Sequence, residues 1–189
     1  KKLYEIGYEI EKIKLRESTG IQDHILASYG GFNKIIFKKK KIYIKKLNIK
    51  KSTLDNLERN MIIFYSKVKR RANIVEKSKK IESEKTFKIL DKLKSITYNA
   101  ENELKNSNNI DNIGKMLDET WNLKKEMSKI VSSPKLDNIY KEAKISGAIG
   151  GKILGAGGGG FFLFYCKKKN QNKLIKKLNK FTPLKFKFS

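Results

Sequence analysis

The sequence predicts an α+β fold, with helices packed on a mostly antiparallel sheet. Three observations lead there. Apolar residues recur at spacings of three and four over long consecutive stretches. Short runs such as Met61–Tyr65 and Phe161–Cys166 are rich in aromatic and branched residues, as buried strands are. The two kinds of segment alternate irregularly, unlike the strand-helix-strand order of a parallel sheet. The 189 residues suffice for one good core, or for one domain and part of another.

Leu3, Ile6, Ile10 and Ile13 form one stripe, with Glu5, Glu9 and Lys12 elsewhere, so residues 1–16 are expected to be an amphipathic helix. Glu17-Ser18-Thr19-Gly20 breaks it. A short helix follows and is stopped by Gly30-Gly31. Asp23 falls in its first turn, where the helix dipole keeps a carboxylate ionised and ready to accept a proton or a hydrogen bond. A helix-capping carboxylate is the plainer reading of the same residue. Residues 34–37 and 42–47 read as a polar hairpin around the charge run Lys38–Lys41. Ser52–Asn60 suits a helical turn and Met61–Tyr65 a buried strand.

From about Lys69 to Lys105 the helical period returns, with Ile74, Ile81, Ile89, Leu93 and Ile96 on the inner face. Asn106–Asn109 marks a turn, and a helix is expected over Ile110–Val131. Another opens near Pro134 and ends by Gly147. After Phe161–Cys166 come a lysine-rich helix over Asn170–Lys180 and an alternating strand over Thr182–Phe188. No internal repeat is visible. The aromatic residues, Trp121 included, are assigned to the core.

The hydrophobic content of 39% fits a soluble globular protein, and no apolar run approaches the ~20 residues of a membrane span. Lys1-Lys2 is not followed by an apolar signal core, so the cytoplasm is the expected compartment. The one cysteine, Cys166, sits in the aromatic run and reads as an inert buried thiol. A net charge of +25 suggests a phosphate-rich partner. Against dedicated nucleic-acid binding, only four of the 44 basic residues are arginine, and the lysines are spread from end to end. A basic module binding RNA or an acidic surface stands as the alternative function. The chain starts without methionine inside a helical pattern, which fits a trimmed start or the later part of a longer protein.

Gly155-Ala156-Gly157-Gly158-Gly159-Gly160 has almost no side chains. Glycine takes positive φ without strain, so consecutive amides in such a bend can form a nest for phosphate oxygens. A packing loop between strands is the alternative. The pattern G-x-G-x-x-G is weak on its own. A dinucleotide site needs a helix next, and a strand-like run follows. The Walker pattern fails because Ile153, not Ser or Thr, follows Lys152. A protein-kinase loop needs more downstream chain than remains.

Two blocks together resemble the GHMP family of small-molecule kinases, in its heptose 7-phosphate kinase branch. They are Gly20-Ile21-Gln22-Asp23-His24 through Tyr29-Gly30-Gly31-Phe32-Asn33, and Gly150-Gly151-Lys152-Ile153-Leu154 through Gly155–Gly160 and Phe161. Glu119–Ser128 and Asp137–Tyr140 are similar to the same branch. The resemblance implies residues 1–48 as the end of a catalytic N-terminal domain and 49–189 as the C-terminal domain. It implies transfer of the ATP γ-phosphoryl group to a sugar hydroxyl, expected to be the anomeric one, with ATP and Mg2+ as cofactors. Asp23 matches the family's catalytic base. Gln22, His24, Tyr29 and Lys152 are substrate-pocket candidates, and Gly155, Gly157, Gly158, Gly159 and Gly160 shape the phosphate side. No metal ligand is assigned. His24 stands where the branch typically has glutamine. The family's main phosphate loop has no counterpart here, so the chain alone is expected to be inactive, with a separately encoded N-terminal half as a possible partner.

Overall fold

The computed structural model describes residues 2–16, 20–39, 41–69, 84–106 and 109–188. The expected break at Glu17–Thr19, Lys40 of the hairpin turn, the inner-face positions Ile74 and Ile81, and the turn at Ser107–Asn108 lie outside them. Two units are present: one runs to Lys50 and includes Phe188, the other runs from Lys51 to Lys187.

In the first unit, α1 (Leu3–Glu9) continues into a π-helical turn, Ile10–Lys14, in which the Leu15 amide donates to Ile10 O at 3.0 Å. Helix α2 (Ile21–Tyr29) packs on α1 through Tyr4 and the fully buried Ile25. It stops where expected, with Gly30 and Gly31 at φ +61° and +64°. The hairpin β1 (Asn33–Lys38) and β2 (Lys41–Lys46) pairs antiparallel from Asn33↔Lys46 to Lys38↔Lys41. Phe188 returns to this unit and meets Phe32 edge-on at 4.9 Å.

The amphipathic stripe does not find the core that such stripes normally cover. Leu3 is 70% and Ile13 65% exposed, with Ile6, Ile10 and Leu15 also open. The off-stripe Tyr4 is buried instead, because α2 docks on that side of α1 and the π turn shifts the helical phase beyond Glu9.

The second unit holds α3 (Lys51–Asn60), β3 (Met61–Tyr65), α4 (Glu84–Asn106), α5 (Asp111–Met127), α6 (Pro134–Ile145), β4 (Ala148–Ile153), β5 (Phe161–Cys166), α7 (Lys168–Lys177) and β6 (Pro183–Leu184). Its antiparallel sheet has the order β4-β5-β3-β6. Trp121, Tyr140, Phe162 and Phe164 form the aromatic centre of its core. Ile89 and Ile96 of α4 pack with Leu123, and Leu93 lies against them, as the helical period predicts.

Three boundaries differ from expectation. The helix expected to reach Val131 ends at Met127, because Ser128 turns extended and its hydroxyl accepts from the Ile130 amide, opening a 3-10 turn over Lys129–Val131. The expected strand over Thr182–Phe188 contracts to Pro183–Leu184, which pair with Phe64 and Ile63 of β3. The segment Ala148–Ile153, to which the sequence reading assigns no element, is β4. Its small residues serve helix packing: a Cβ on Gly150 would sit 2.0 Å from Gly114 O of α5. Gln171, almost fully buried, donates to Arg59 O and Cys166 O at 2.9 and 3.1 Å and so ties α7 to the last turn of α3 and the end of β5.

Cys166 is fully buried, and that burial pushes its thiol from 9.0 up to about 11. The native protein should therefore resist a thiol reagent at pH 8 and react only on unfolding. A thiol raised in the folded state contributes stability below pH 9 that is lost as pH rises towards 11. Urea melts across that window check the decline.

Candidate functional site

Asp23 lies in the first turn of α2 and is exposed, with no polar partner among the described residues. The helix begins at Gly20 without a side-chain cap, so Asp23 is not consumed as the capping carboxylate. Its neighbour His24 turns the other way. The His24 ring packs on α1, edge-on to Tyr8 at 6.0 Å, and its Nε2 lies 3.3 Å from a Glu11 carboxylate oxygen. Gly7 makes room for it, since a Cβ there would approach the imidazole Nδ1 to 3.0 Å. His24 therefore acts as part of the α1–α2 contact. Gln22 is exposed, and Tyr29 packs partly on Tyr4 with ring centroids 6.3 Å apart.

In the second unit the glycine bend joins β4 to β5, closed by the Leu154 amide donating to Phe161 O at 2.8 Å. Gly155, Gly157, Gly158, Gly159 and Gly160 all have positive φ, from 75° to 148°, which L side chains rarely adopt. The bend is held between two other segments. The Gly158 amide donates to Val131 O at 2.7 Å, and the Gly160 amide to Val68 O at 3.0 Å. A Cβ on Gly159 would lie 2.5 Å from Val68 O, and one on Gly157 2.8 Å from the Val131 side chain.

This geometry divides the glycines between the two readings made from the sequence. The amides of Gly158 and Gly160 are spent on backbone carbonyls, so the six residues do not form one continuous nest. No described residue accepts from the amides of Gly155, Ala156, Gly157 and Gly159.

Lys124 of α5 donates to Gly155 O at 3.0 Å and fixes the start of the bend. Sequence reasoning missed this role, because a lysine on an ordinary helix carries no local sign of a loop 31 residues away. Lys152, on the strand leading into the bend, is half-buried, and desolvation lowers its ammonium pKa. No carboxylate among the described residues pairs with it. Burying an uncompensated ammonium is costly, so Lys152→Met should raise the melting temperature by roughly 2–4 °C, the equivalent of ~1 kcal/mol. A calorimetric scan showing a fall instead would mean that the lysine stabilises the resting protein.

Beneath the bend, the Asp118 carboxylate accepts from Tyr140 Oη at 2.5 Å and pairs with Lys144 at 3.1 Å, while Tyr140 Oη also meets Gly151 O and N at 3.2 Å. Burial and the Asp118 carboxylate both push the phenol above its ordinary value. This network locks β4 to α5 and α6 just before the bend. Among the described residues, no group of three His, Cys, Asp or Glu side chains stands together as a metal site. The uncommitted groups of the bend are backbone hydrogen-bond donors.

Residues 99–184, which include β4, the glycine bend and β5, match the family model described as GHMP kinases C terminal. This stretch is similar to the C-terminal domain of GHMP kinases. It is 33% identical over 178 residues to D-glycero-alpha-D-manno-heptose 7-phosphate kinase of Campylobacter jejuni, a match covering 93% of this chain and 52% of that protein. The structure of Methanococcus jannaschii mevalonate kinase aligns over 98% of this chain and 55% of its own, with a TM-score of 0.75 and 25% identity. A heptose 1-phosphate kinase from Bacteroides thetaiotaomicron shares the fold, with a TM-score of 0.72 and 22% identity over 98% of this chain and 51% of its own. The chain spans about half the length of two curated relatives it matches, the heptose 7-phosphate kinase and a mevalonate kinase of Methanocaldococcus jannaschii. These relatives are phosphotransferases, and their structures share the arrangement of helices on an antiparallel sheet seen here. Among the described residues no helix is long and apolar enough to cross a membrane.

Proposed function

We propose that this chain is the C-terminal portion of an ATP-dependent kinase for a heptose 7-phosphate-like sugar. The observation that carries the reading is the 33% identity to a heptose 7-phosphate kinase, sustained over 93% of the chain. In this reading residues 1–48 complete a catalytic domain and 49–189 form the C-terminal domain. The Asp23 carboxylate takes the proton of the acceptor hydroxyl, the anomeric one, as that oxygen bonds to the γ-phosphorus and the bond to ADP breaks. The exposure of Asp23 and its lack of a polar partner among the described residues support a base free to accept. The four uncommitted amides of the bend, with Lys152 beside them, suit phosphate oxygens. Mg2+ would supply charge neutralisation, and no residue described here is assigned to it. Gln22 and Tyr29 remain substrate-side candidates, whereas the Glu11 contact of His24 favours a positioning role.

The family's main phosphate loop has no counterpart in these 189 residues, and the stripe Leu3, Ile6, Ile10 and Ile13 stands open. Both features support a further polypeptide, the N-terminal half of such a kinase, as partner. The test is ATP consumption with heptose 7-phosphate, first by this chain alone and then with the N-terminal half of the Campylobacter relative added. No turnover alone and turnover with the added half are expected. Ordinary kinase rates from the chain alone would remove the need for a partner. Absence of turnover despite a stable complex between the two halves would remove the kinase reading.

A further inference from the structure

We propose that the cleft bounded by α3, β3, α7 and the chain after β6 receives an extended peptide with apolar residues on one side and acidic residues on the other. The cleft holds about 770 Å³ and lies wholly within the second unit. Its origin is a defect in the sheet. Strand β5 pairs with β3 from Met61 to Tyr65, but β6 pairs with it only at Ile63 and Phe64. After Leu184 the chain leaves the ladder, and Lys185 to Lys187 become one wall of the cleft. On that side Met61 and Ile62 line the cleft and have no partner strand among the described residues.

A strand edge beside an apolar floor suits an extended guest. Main-chain hydrogen bonds provide affinity, and every second side chain reaches the floor. Here the floor is Met61, Ile62, Ile175 and Leu184. The rim carries Arg59, Lys168, Lys185 and Lys187, none of them paired with a carboxylate among the described residues. Four cations against the carboxylates of Asp55 and Glu58 leave the cleft positive, which selects acidic side chains on the guest. The apolar floor of Met61, Ile62, Ile175 and Leu184 has none of the stacked aromatic platforms that hold the bases of a single-stranded nucleic acid. The lysine-dominated rim also lacks the forked guanidinium donors that read bases.

The experiment is selection from a random peptide library on the full chain, followed by fluorescence anisotropy with the enriched sequences at about 0.15 M salt. Enriched peptides should alternate apolar with Asp or Glu, and should shift the amide resonances of Met61, Ile62 and Lys185. Lys185→Glu with Lys187→Glu should weaken binding about tenfold, while the same charge change at Lys92 and Lys94 of α4 should have less than about a threefold effect. Melting curves of both double variants confirm that each remains folded. Three results would overturn the proposal: no enrichment, equal weakening by the two double variants as expected of a general field, or displacement of the peptide from the cleft by oligouridylate.

Discussion

Gly150→Ala should destabilise the second unit by about 3 kcal/mol, the upper end of what overpacking a close contact costs. A Cβ at this position would lie 2.0 Å from Gly114 O of α5 and 2.8 Å from the Asp118 Cβ. Both obstacles belong to the helix packed along edge strand β4, so neither a rotamer change nor a flexible side chain relieves them. Relief requires α5 to move off the strand, which would also disturb the Asp118–Tyr140–Lys144 network. Two further variants separate steric from backbone effects. Gly160 has open space around its Cβ position but φ +88°, so Gly160→Ala should cost about 1–2 kcal/mol from backbone strain alone. Gly20 has open space and φ −96°, so Gly20→Ala should stay within about 0.5 kcal/mol. Urea melts of the three variants should rank in that order. A Gly150→Ala protein melting with the parent would show that α5 does not rest on β4 this closely.

Asp23→Asn should remove turnover from the complemented enzyme by a factor of roughly 10²–10⁴, the usual contribution of a positioned proton acceptor. The amide keeps the size and the hydrogen-bonding capacity of the carboxylate but cannot take the hydroxyl proton. Nucleotide affinity should change little, so the loss should appear in kcat. The variant also discriminates between function classes. A basic module for RNA would bind with affinity falling steeply with salt and would be indifferent to Asp23→Asn. Unchanged kcat in an active complemented enzyme would assign the proton to another acceptor.

The local signals that were legible shared one property: they depend on residues close together in the chain. Asp23 could be placed in a first turn because a helix start is set by its own few residues, and Gly30-Gly31 stops that helix through backbone freedom that needs no partner. The helix boundary at Ser128 was missed because helical periodicity continues through it, while the hydroxyl–amide bond that ends the helix outcompetes it locally. Strand β4 has Gly150 and Gly151 at its centre, and glycine carries no strand propensity. Their value lies in admitting α5, which sequence spacing does not reveal. The division of the glycine bend was equally hidden, since only folding brings the carbonyls of Val131 and Val68 to Gly158 and Gly160.

Composition, periodicity and two short blocks were enough to determine the α+β class, the order of most elements and the resemblance to GHMP kinases, because these follow from short-range preferences and from residue order. The tertiary structure alone decided which bend amides bond to backbone carbonyls, that Lys124 anchors the bend, that His24 lies against Glu11, and that the α1 stripe is open. Each of these depends on which distant group arrives first at a donor, an acceptor or an apolar surface, and a donor satisfied by one partner is no longer offered to another.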